Sequence, residues 1–385
     1  MKLFEMFAGY GGASFALKKA GIDFECVGVS EIDKYAMQCF TQNHKGYHYG
    51  NCTQINANEL PDFDLLTGGF PCQSFSVAGK GLGELDTRGT LFNEIIRIAE
   101  VKQPKYMLLE NVKGLTYKPH KETFAKILSE LERIGYSVKW KVLNSKEHGT
   151  PQNRERVFFV CFLDFYDEFD FKFPEKEELK IFLKDILEED VDEKYNISDK
   201  MLQGLLKHND NHNKKGTGFI WKPRDINSYA SSLRSNGAFC PTDNSVLLLD
   251  MYNKKIKEDG ICITLSDPCH NNLRIMEPVS LAIRNKNRSK HQTKGLPYGT
   301  FPKEYHLKEN KEKGVSYAVK QSSHEFMVNN GLRIRKLTPK ECFRLMGFLD
   351  DRINLDGLSN TQKYKLAGNG WDINLVSKIF KEMFK

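Results

Sequence analysis

Leu3-Phe4-Glu5-Met6-Phe7-Ala8-Gly9-Tyr10-Gly11-Gly12 decides how the first half of this chain is read. A short apolar run passes directly into a glycine-rich turn, after which Phe15, Ala16 and Ala20 recur at helical spacing until Gly21 stops the helix. Strand, glycine turn and helix in that order open an α/β sheet. Working outward, Glu25 to Val29 reads as a second strand ending at Ser30-Glu31, and Asp64 to Leu66 as a third ending at Gly68-Gly69-Phe70-Pro71-Cys72. Tyr106 to Leu109 is a fourth, ending at Glu110-Asn111. Helical periodicity from Lys121 to Ile134, closed by Gly135, precedes two more strands, Ser137 to Leu143 and Val157 to Phe162. The alternation predicts a doubly wound, mostly parallel sheet covered on both faces. Each polar or reactive cluster falls at a strand's C-terminal end, where such sheets bind ligands.

The chain has 385 residues, 40% hydrophobic and 28% charged, which places it in the globular class and away from disorder. Its longest apolar run, Val157 to Leu163, is far short of the ~18 to 20 residues a membrane span needs. The start Met-Lys-Leu-Phe-Glu has no basic-then-apolar leader, so a membrane or secreted reading is set aside. Nine cysteines, odd in number and without Cys-x-x-Cys pairs, fit neither a disulfide framework nor a zinc site. A reducing, cytoplasmic compartment and no metal are expected. The net charge of +7, from 57 basic and 50 acidic residues, permits nucleic-acid binding without demanding it. Lys and Arg outnumber Asp and Glu across 251–320, a candidate polyanion-facing surface or simply a solvated one.

From about 166 to 330 the alternation fades into Asn- and Lys-rich sequence with short strand-like runs at Val246 to Leu249 and Ile261 to Leu265, which predicts a loop-rich second domain. Thr338-Pro339-Lys340-Glu341 carries the N-cap, N1 proline and acidic third position of a helix start. Ile373, Val376, Ile379, Phe380, Met383 and Phe384 outline an amphipathic closing helix that packs on the first domain. The expected boundaries are 1–175, 176–330 and 331–385.

Gly9-x-Gly11-Gly12 lets backbone approach a ligand closely, although it departs from Gly-x-Gly-x-x-Gly. Glu31, at the end of the next strand, stands where a carboxylate can accept bonds from a ribose diol. The pair indicates an adenosine-containing cofactor, or a tight turn beside a surface acid. Pro71-Cys72-Gln73 puts a thiol at the mouth of the sheet. A lone cysteine is commonly a buried core residue. The following Gly79, Gly81, Gly83 and Gly89 suit a mobile flap and favour a nucleophile. Glu110-Asn111 lies near that thiol if the two strands are neighbours, and Arg154-x-Arg156 leads two cations into a strand.

These blocks resemble, in order and rough spacing, the DNA cytosine-5 methyltransferase family. The resemblance rests on Phe7-Ala8-Gly9-Tyr10-Gly11-Gly12, Gly69-Phe70-Pro71-Cys72-Gln73, Glu110-Asn111-Val112 and Gln152-Asn153-Arg154-Glu155-Arg156. Arg335 to Phe348 and Gly368-Asn369-Gly370 look like that family's two C-terminal motifs.

The resemblance implies a catalytic and cofactor-binding domain (1–175), a target-recognition domain (176–330) and a C-terminal segment returning to the first. Carbon 5 of cytosine is a poor nucleophile, so the family adds a thiolate at carbon 6, and Cys72 matches it. Glu110 matches the acid at ring nitrogen 3, Asn111 orients its neighbours, and Arg154 and Arg156 match the residues that hold the base carbonyl and the active-site loop. The implied methyl donor is S-adenosylmethionine, leaving as S-adenosylhomocysteine. Phe7 and the turn Gly9, Gly11 and Gly12 would hold its adenosyl group, Glu31 its ribose, and Asn369 with Gly370 its methionine end. Ala8, Ile32, Cys52, Gly69, Pro71 and Leu91 complete the implied cofactor set. Asn51 stands where an aspartate is usual. Trp371-Asp372 replaces small aliphatics, and the sequence suggests no role for it.

The base must be flipped out of duplex DNA. Gln73, Ser76, Arg88 and Asn111 are implied contacts there. Thr264, Arg274 and Arg284 are candidate recognition residues, with Ser232-Leu233 competing against Thr264-Leu265 for one supporting pair. A monomer paired with a cognate restriction endonuclease is expected. The alternatives are a transfer-RNA methyltransferase, a DNA-binding protein without catalysis and, more distantly, a nicotinamide oxidoreductase.

Overall fold

A computed structural model describes residues 1–70, 90–163, 170–216, 220–235, 243–249, 283–284, 304–307, 318–320 and 332–385. Cys72 and its neighbours from 71 to 89 lie outside these residues, as do Thr264 and Arg274. The chain divides into two compact units, one of residues 1–181, 230–238 and 339–385, the other of 182–229 and 239–338.

The first unit is built on β1 (Lys2–Met6), α1 (Gly12–Ala20), β2 (Glu25–Ser30), α2 (Lys34–Asn43), β3 (His48–Gly50) and β4 (Leu65–Gly69). It continues through α3 (Thr90–Lys102), β5 (Tyr106–Val112), α4 (Lys121–Arg133), β6 (Tyr136–Asn144), β7 (Gln152–Asn153) and β8 (Glu155–Leu163). A short strand, β9 (Ala230–Ser231), and three helices, α5 (Pro339–Arg344), α6 (Asn360–Asn369) and α7 (Ile373–Met383), complete it. Seven strands form one sheet in the order β3-β2-β1-β4-β5-β8-β6. The pairs from β3 through β5 are parallel, whereas β8 runs antiparallel to both β5 and β6. This is the α/β sheet expected, parallel through β5 and made mixed by antiparallel β8, with β1, β4 and β5 at its centre.

The central strands read as continuous apolar runs because helices cover both faces. Phe4, Met6, Leu66, Ile95, Ile98, Met107, Leu109, Leu131 and Phe159 share one buried cluster that joins β1, β4, β5 and β8 to α3 and α4. α1 packs against α7, whose Ile373, Val376, Ile379, Phe380 and Met383 are all buried. β5 runs to Val112, three residues past the strand end expected, because Glu110, Asn111 and Val112 pair with Phe158, Val157 and Arg156 of β8. The antiparallel partner therefore stiffens the segment that carries the carboxyl group.

Among its described residues, the second unit contains regular elements that its composition does not suggest. A helix spans Asp199–Lys215, capped by Ser198 and closed by left-handed Gly216. It buries Leu202 and Leu205 with Trp221 and Ile334. Strands Ser245–Leu249 and Leu332–Lys336 pair antiparallel. Ile283–Arg284, Glu304–Leu307 and Ala318–Lys320 form a three-stranded sheet, which places Arg284 opposite His306. No helix among the described residues is long and apolar enough to cross a membrane.

Candidate active site

The sharp bend after β1 creates the site. Phe7, Gly9 and Gly11 all take positive φ, at 54°, 57° and 86°. A phenylalanine there is strained by about 1–3 kcal/mol, a cost that persists only where its surroundings over-determine it. One surrounding group is Glu31. Its Oε2 accepts from the Gly9 amide at 2.9 Å and its Oε1 from the amides of Ile32 and Asp33, each at 2.8 Å. The carboxylate thus ties the glycine turn to the end of β2, and Glu31 lines the cleft.

That cleft, of about 460 Å³, runs along the C-terminal ends of β1, β2, β4 and β5. From the implied cofactor set it collects Phe7, Gly9, Glu31, Ile32, Asn51, Cys52, Gly69, Leu91, Asn369 and Gly370. Glu110, Asn111, Arg154 and Arg156 line the same cleft. Ala8 and Gly12 border a smaller adjoining recess. Gly11 points elsewhere, since a Cβ on it would strike the His44 ring at 2.4 Å. Asn51 Oδ1 accepts the Thr53 amide at 3.1 Å, so this amide closes its own turn as well as lining the cleft. Ile32 is 78% exposed, a bare apolar face beside Glu31.

The two arginines diverge. Arg156 Nε stands 2.9 Å from Glu110 Oε1, and both side chains are mostly buried at 17% and 12% exposure. Arg154 is buried and turns the other way. Its Nη2 donates to the carbonyls of Gly370 at 2.8 Å and Gly368 at 3.2 Å. Burial, reinforced by Arg156, pushes its guanidinium down to about 9, so it stays charged at neutral pH. Asn111 is buried, with Nδ2 donating to the Phe70 carbonyl at 3.3 Å and Oδ1 accepting the Val112 amide at 2.8 Å. It anchors the backbone at the point where Pro71-Cys72 begins.

Other residues around the cleft are joined by contacts that the sequence does not reveal. Gln152, buried in β7, donates from Nε2 to the Leu345 carbonyl at 2.6 Å and accepts the Leu233 amide on Oε1 at 3.2 Å. β9 pairs in parallel with β7, and Ser235 reaches the cleft wall. The backbone of Arg234 and Ser235 passes so close to Gly368 that a Cβ there would meet it at 2.5 Å. Gln362 and Lys365 of α6 also line the cleft, and Lys365 pairs with Asp33 across it at 2.6 Å. The motif that contains Gln152 does not announce its partners, and no local pattern announces Ser235, Gln362 or Lys365, because each contact joins residues far apart in sequence.

A model of the C-5 cytosine-specific DNA methylase family matches residues 1–385. The chain is 30% identical, over a 437-residue alignment, to the orphan methyltransferase M.SPRI of Bacillus phage SPR, covering 100% of this chain and 97% of that relative. It is 44% identical over 219 residues to the type II methyltransferase M.NlaX of Neisseria lactamica, covering 57% of this chain and 69% of that one. Among solved structures, a DNMT2 from Spodoptera frugiperda shares the fold with a TM-score of 0.65 at 20% identity, covering 100% of this chain and 99% of that one. With the family pattern spanning every residue and Phe7, Gly9, Glu110, Arg154 and Arg156 gathered on one cleft, the chain belongs to the C-5 cytosine-specific DNA methylase family.

Proposed function

We propose that this methyltransferase acts as a cytoplasmic monomer on duplex DNA, methylating carbon 5 of a cytosine swung out of the base stack through a covalent adduct of Cys72 at carbon 6. The observation that carries this reading is the cleft shared by Phe7 and Gly9 of the turn and by the Glu110–Arg156 pair. The family implies S-adenosylmethionine, and the cleft suits it. Gly9 has open space on its Cβ side, Ile32 offers an apolar face for a purine, and Glu31 offers acceptors for hydroxyls. When bound, that cofactor supplies an electrophilic methyl group.

The chain's own residues do the rest. The Cys72 thiolate adds to carbon 6, forming the S–C6 bond, and the displaced ring electrons make carbon 5 nucleophilic. Glu110 hydrogen-bonds ring nitrogen 3 and stabilises the charge that the addition puts on the ring. Arg156 fixes the carboxyl from the other oxygen and supplies positive charge in a largely water-excluded place. Once carbon 5 carries the methyl group, loss of its proton returns electrons to the ring and expels the thiolate. Lys and Arg of the recognition unit position the duplex through phosphates, and Thr264, Arg274 and Arg284 are proposed to serve there. Gln73, Ser76 and Arg88 are proposed to close over the flipped base.

Bisulfite sequencing of plasmid DNA after incubation with the protein and S-adenosylmethionine tests the reaction. Protected cytosines in one short recurring context are expected, with protection lost in Cys72→Ala while DNA binding persists. Undiminished turnover in Cys72→Ala would sink the mechanism, and methyl transfer to transfer RNA but not to DNA would replace the substrate. The type II names of relatives such as M.NlaX support a role in protecting DNA from a cognate endonuclease. A plasmid modified by this protein is then expected to resist an endonuclease of the same specificity.

A further inference from the structure

Two histidines of the second unit take no part in the reaction outlined above. His208 and His212 stand four residues apart on the helix Asp199–Lys215, a spacing that puts both side chains on one face, about 6 Å apart along the axis. Their ring centroids are 4.3 Å apart and the ring planes are inclined at 56°. Of the side chains from Lys207 to Lys214, only His208, Asn209 and His212 are partly buried, and the rest are exposed. The pair therefore does not trail on the outermost face of the helix.

The backbone beneath the pair is anchored. Leu202 and Leu205 are buried with Trp221 and Ile334. Asn209, next to His208, binds both polar groups of the Trp221 backbone: its Oδ1 accepts the amide and its Nδ2 donates to the carbonyl, each at 2.7 Å. Beyond Leu205 no side chain is fully buried through Lys214, and Asn209-Asp210-Asn211-His212-Asn213 is a run of weak helix formers. These last turns are the part of the helix most open to fraying. Imidazole is a ligand that suits zinc and its transition-metal neighbours, and two histidines at this spacing on a helix present both rings to one ion. Two nitrogens on one tetrahedral zinc ion stand roughly 3.3 Å apart. Rings already this close need only rotate about their own side-chain bonds to offer nitrogens at that spacing. No group of three His, Cys, Asp or Glu suited to a metal occurs among the described residues, so water would complete the coordination.

We propose that His208 and His212 form a binding site for a divalent transition ion of the zinc class, which clips the last turns of this helix together. The ion supplies nothing to methyl transfer; it orders the end of a helix that its own side chains anchor only in the first half. Cysteine spacing speaks against a thiolate zinc site, and this one is built from imidazoles alone. The inference does not depend on the reaction proposed above.

Calorimetric titration of the full chain with Zn²⁺ alone compares the wild type with His208→Gln and His212→Gln, each of which removes one ligand without weakening the helix. The wild type is expected to take up an ion with a dissociation constant on the order of 10 µM, and each variant to bind it at least about tenfold more weakly. Thiols also take up zinc, so Co²⁺ absorption identifies the ligands: this site should give d–d bands without a thiolate charge-transfer band. Hydrogen exchange over 207–215 reads the helix end directly. Zn²⁺ at ten times its dissociation constant should slow those amides about tenfold in the wild type and leave both variants unchanged. Unaltered zinc affinity in the variants, a loss confined to one of them, or a thiolate band at this affinity would overturn the proposal. So would exchange over 207–215 that ignores zinc in the wild type, a result that holds even if a variant fails to fold.

Discussion

Arg154 and Arg156 are two residues apart, and their surroundings give them different work. Arg154 is a buried strut, holding the two carbonyls that fix α6 and Gly370 against the sheet. Arg154→Ala leaves those carbonyls unpaired and is expected to cost roughly 2–4 kcal/mol, read as a lower denaturation midpoint. Arg154→Lys should not restore it, since one ammonium cannot reproduce the planar fork. Arg156 touches Glu110 instead. Arg156→Ala is expected to slow methylation about a hundredfold, with S-adenosylhomocysteine affinity near that of the wild type and a smaller loss of stability than Arg154→Ala. Equal loss of stability in both variants would refute this division. Gly370, which Arg154 holds, has a φ of −78° that suits any residue. Only space demands glycine, as a Cβ would lie 2.0 Å from Tyr10 Cε1.

At the scale of elements, the last helix shows how a local rule and a long-range contact combine. Hydrophobic spacing predicts α7, and Asp372 supplies the cap that starts it. The same Oδ1 also accepts the Thr150 hydroxyl at 3.1 Å. Asp372→Ala is expected to lower stability by about 1 kcal/mol or somewhat more, and Asp372→Asn, which keeps an acceptor, should recover most of it. Chemical denaturation of the two variants side by side measures the difference. The helix Asp199–Lys215 shows the opposite case. Its Asn- and Lys-rich sequence reads as loop, yet burial of Leu202 and Leu205 against Trp221 and Ile334 is enough to hold it.

For the whole molecule, Glu5 makes stability depend on pH. It is buried in the middle of β1, and Ser14 donates to its Oε1 from both backbone and side chain. Burial outweighs those bonds and lifts the carboxyl from 4.5 to about 7. The folded state therefore holds this proton more tightly than the unfolded chain does. The stabilisation is complete below about pH 4.5 and is lost as pH rises through about 7. It is worth up to roughly 3 kcal/mol. Urea midpoints should fall across that window in the wild type, and Glu5→Gln should flatten the profile. An unchanged slope in Glu5→Gln would refute the assignment.

The first half of the fold was legible because its signals are local: apolar runs of strand length, helical spacing over 121–134, and a glycine turn that few other arrangements need. The motif residues were legible for the same reason, since Glu110, Arg156 and the turn sit at strand ends that the pattern marks directly. Tertiary structure decided which of them meet, and what each one faces. Arg154 turned toward Gly370 rather than Glu110, Gln152 pinned a strand from residue 230, and Trp371 filled the space over Gly12 and Gly69. These outcomes depend on partners some 80 to 360 residues away in the chain. Sequence periodicity carries no information at that range, because it records which face of an element is buried and not what is buried against it.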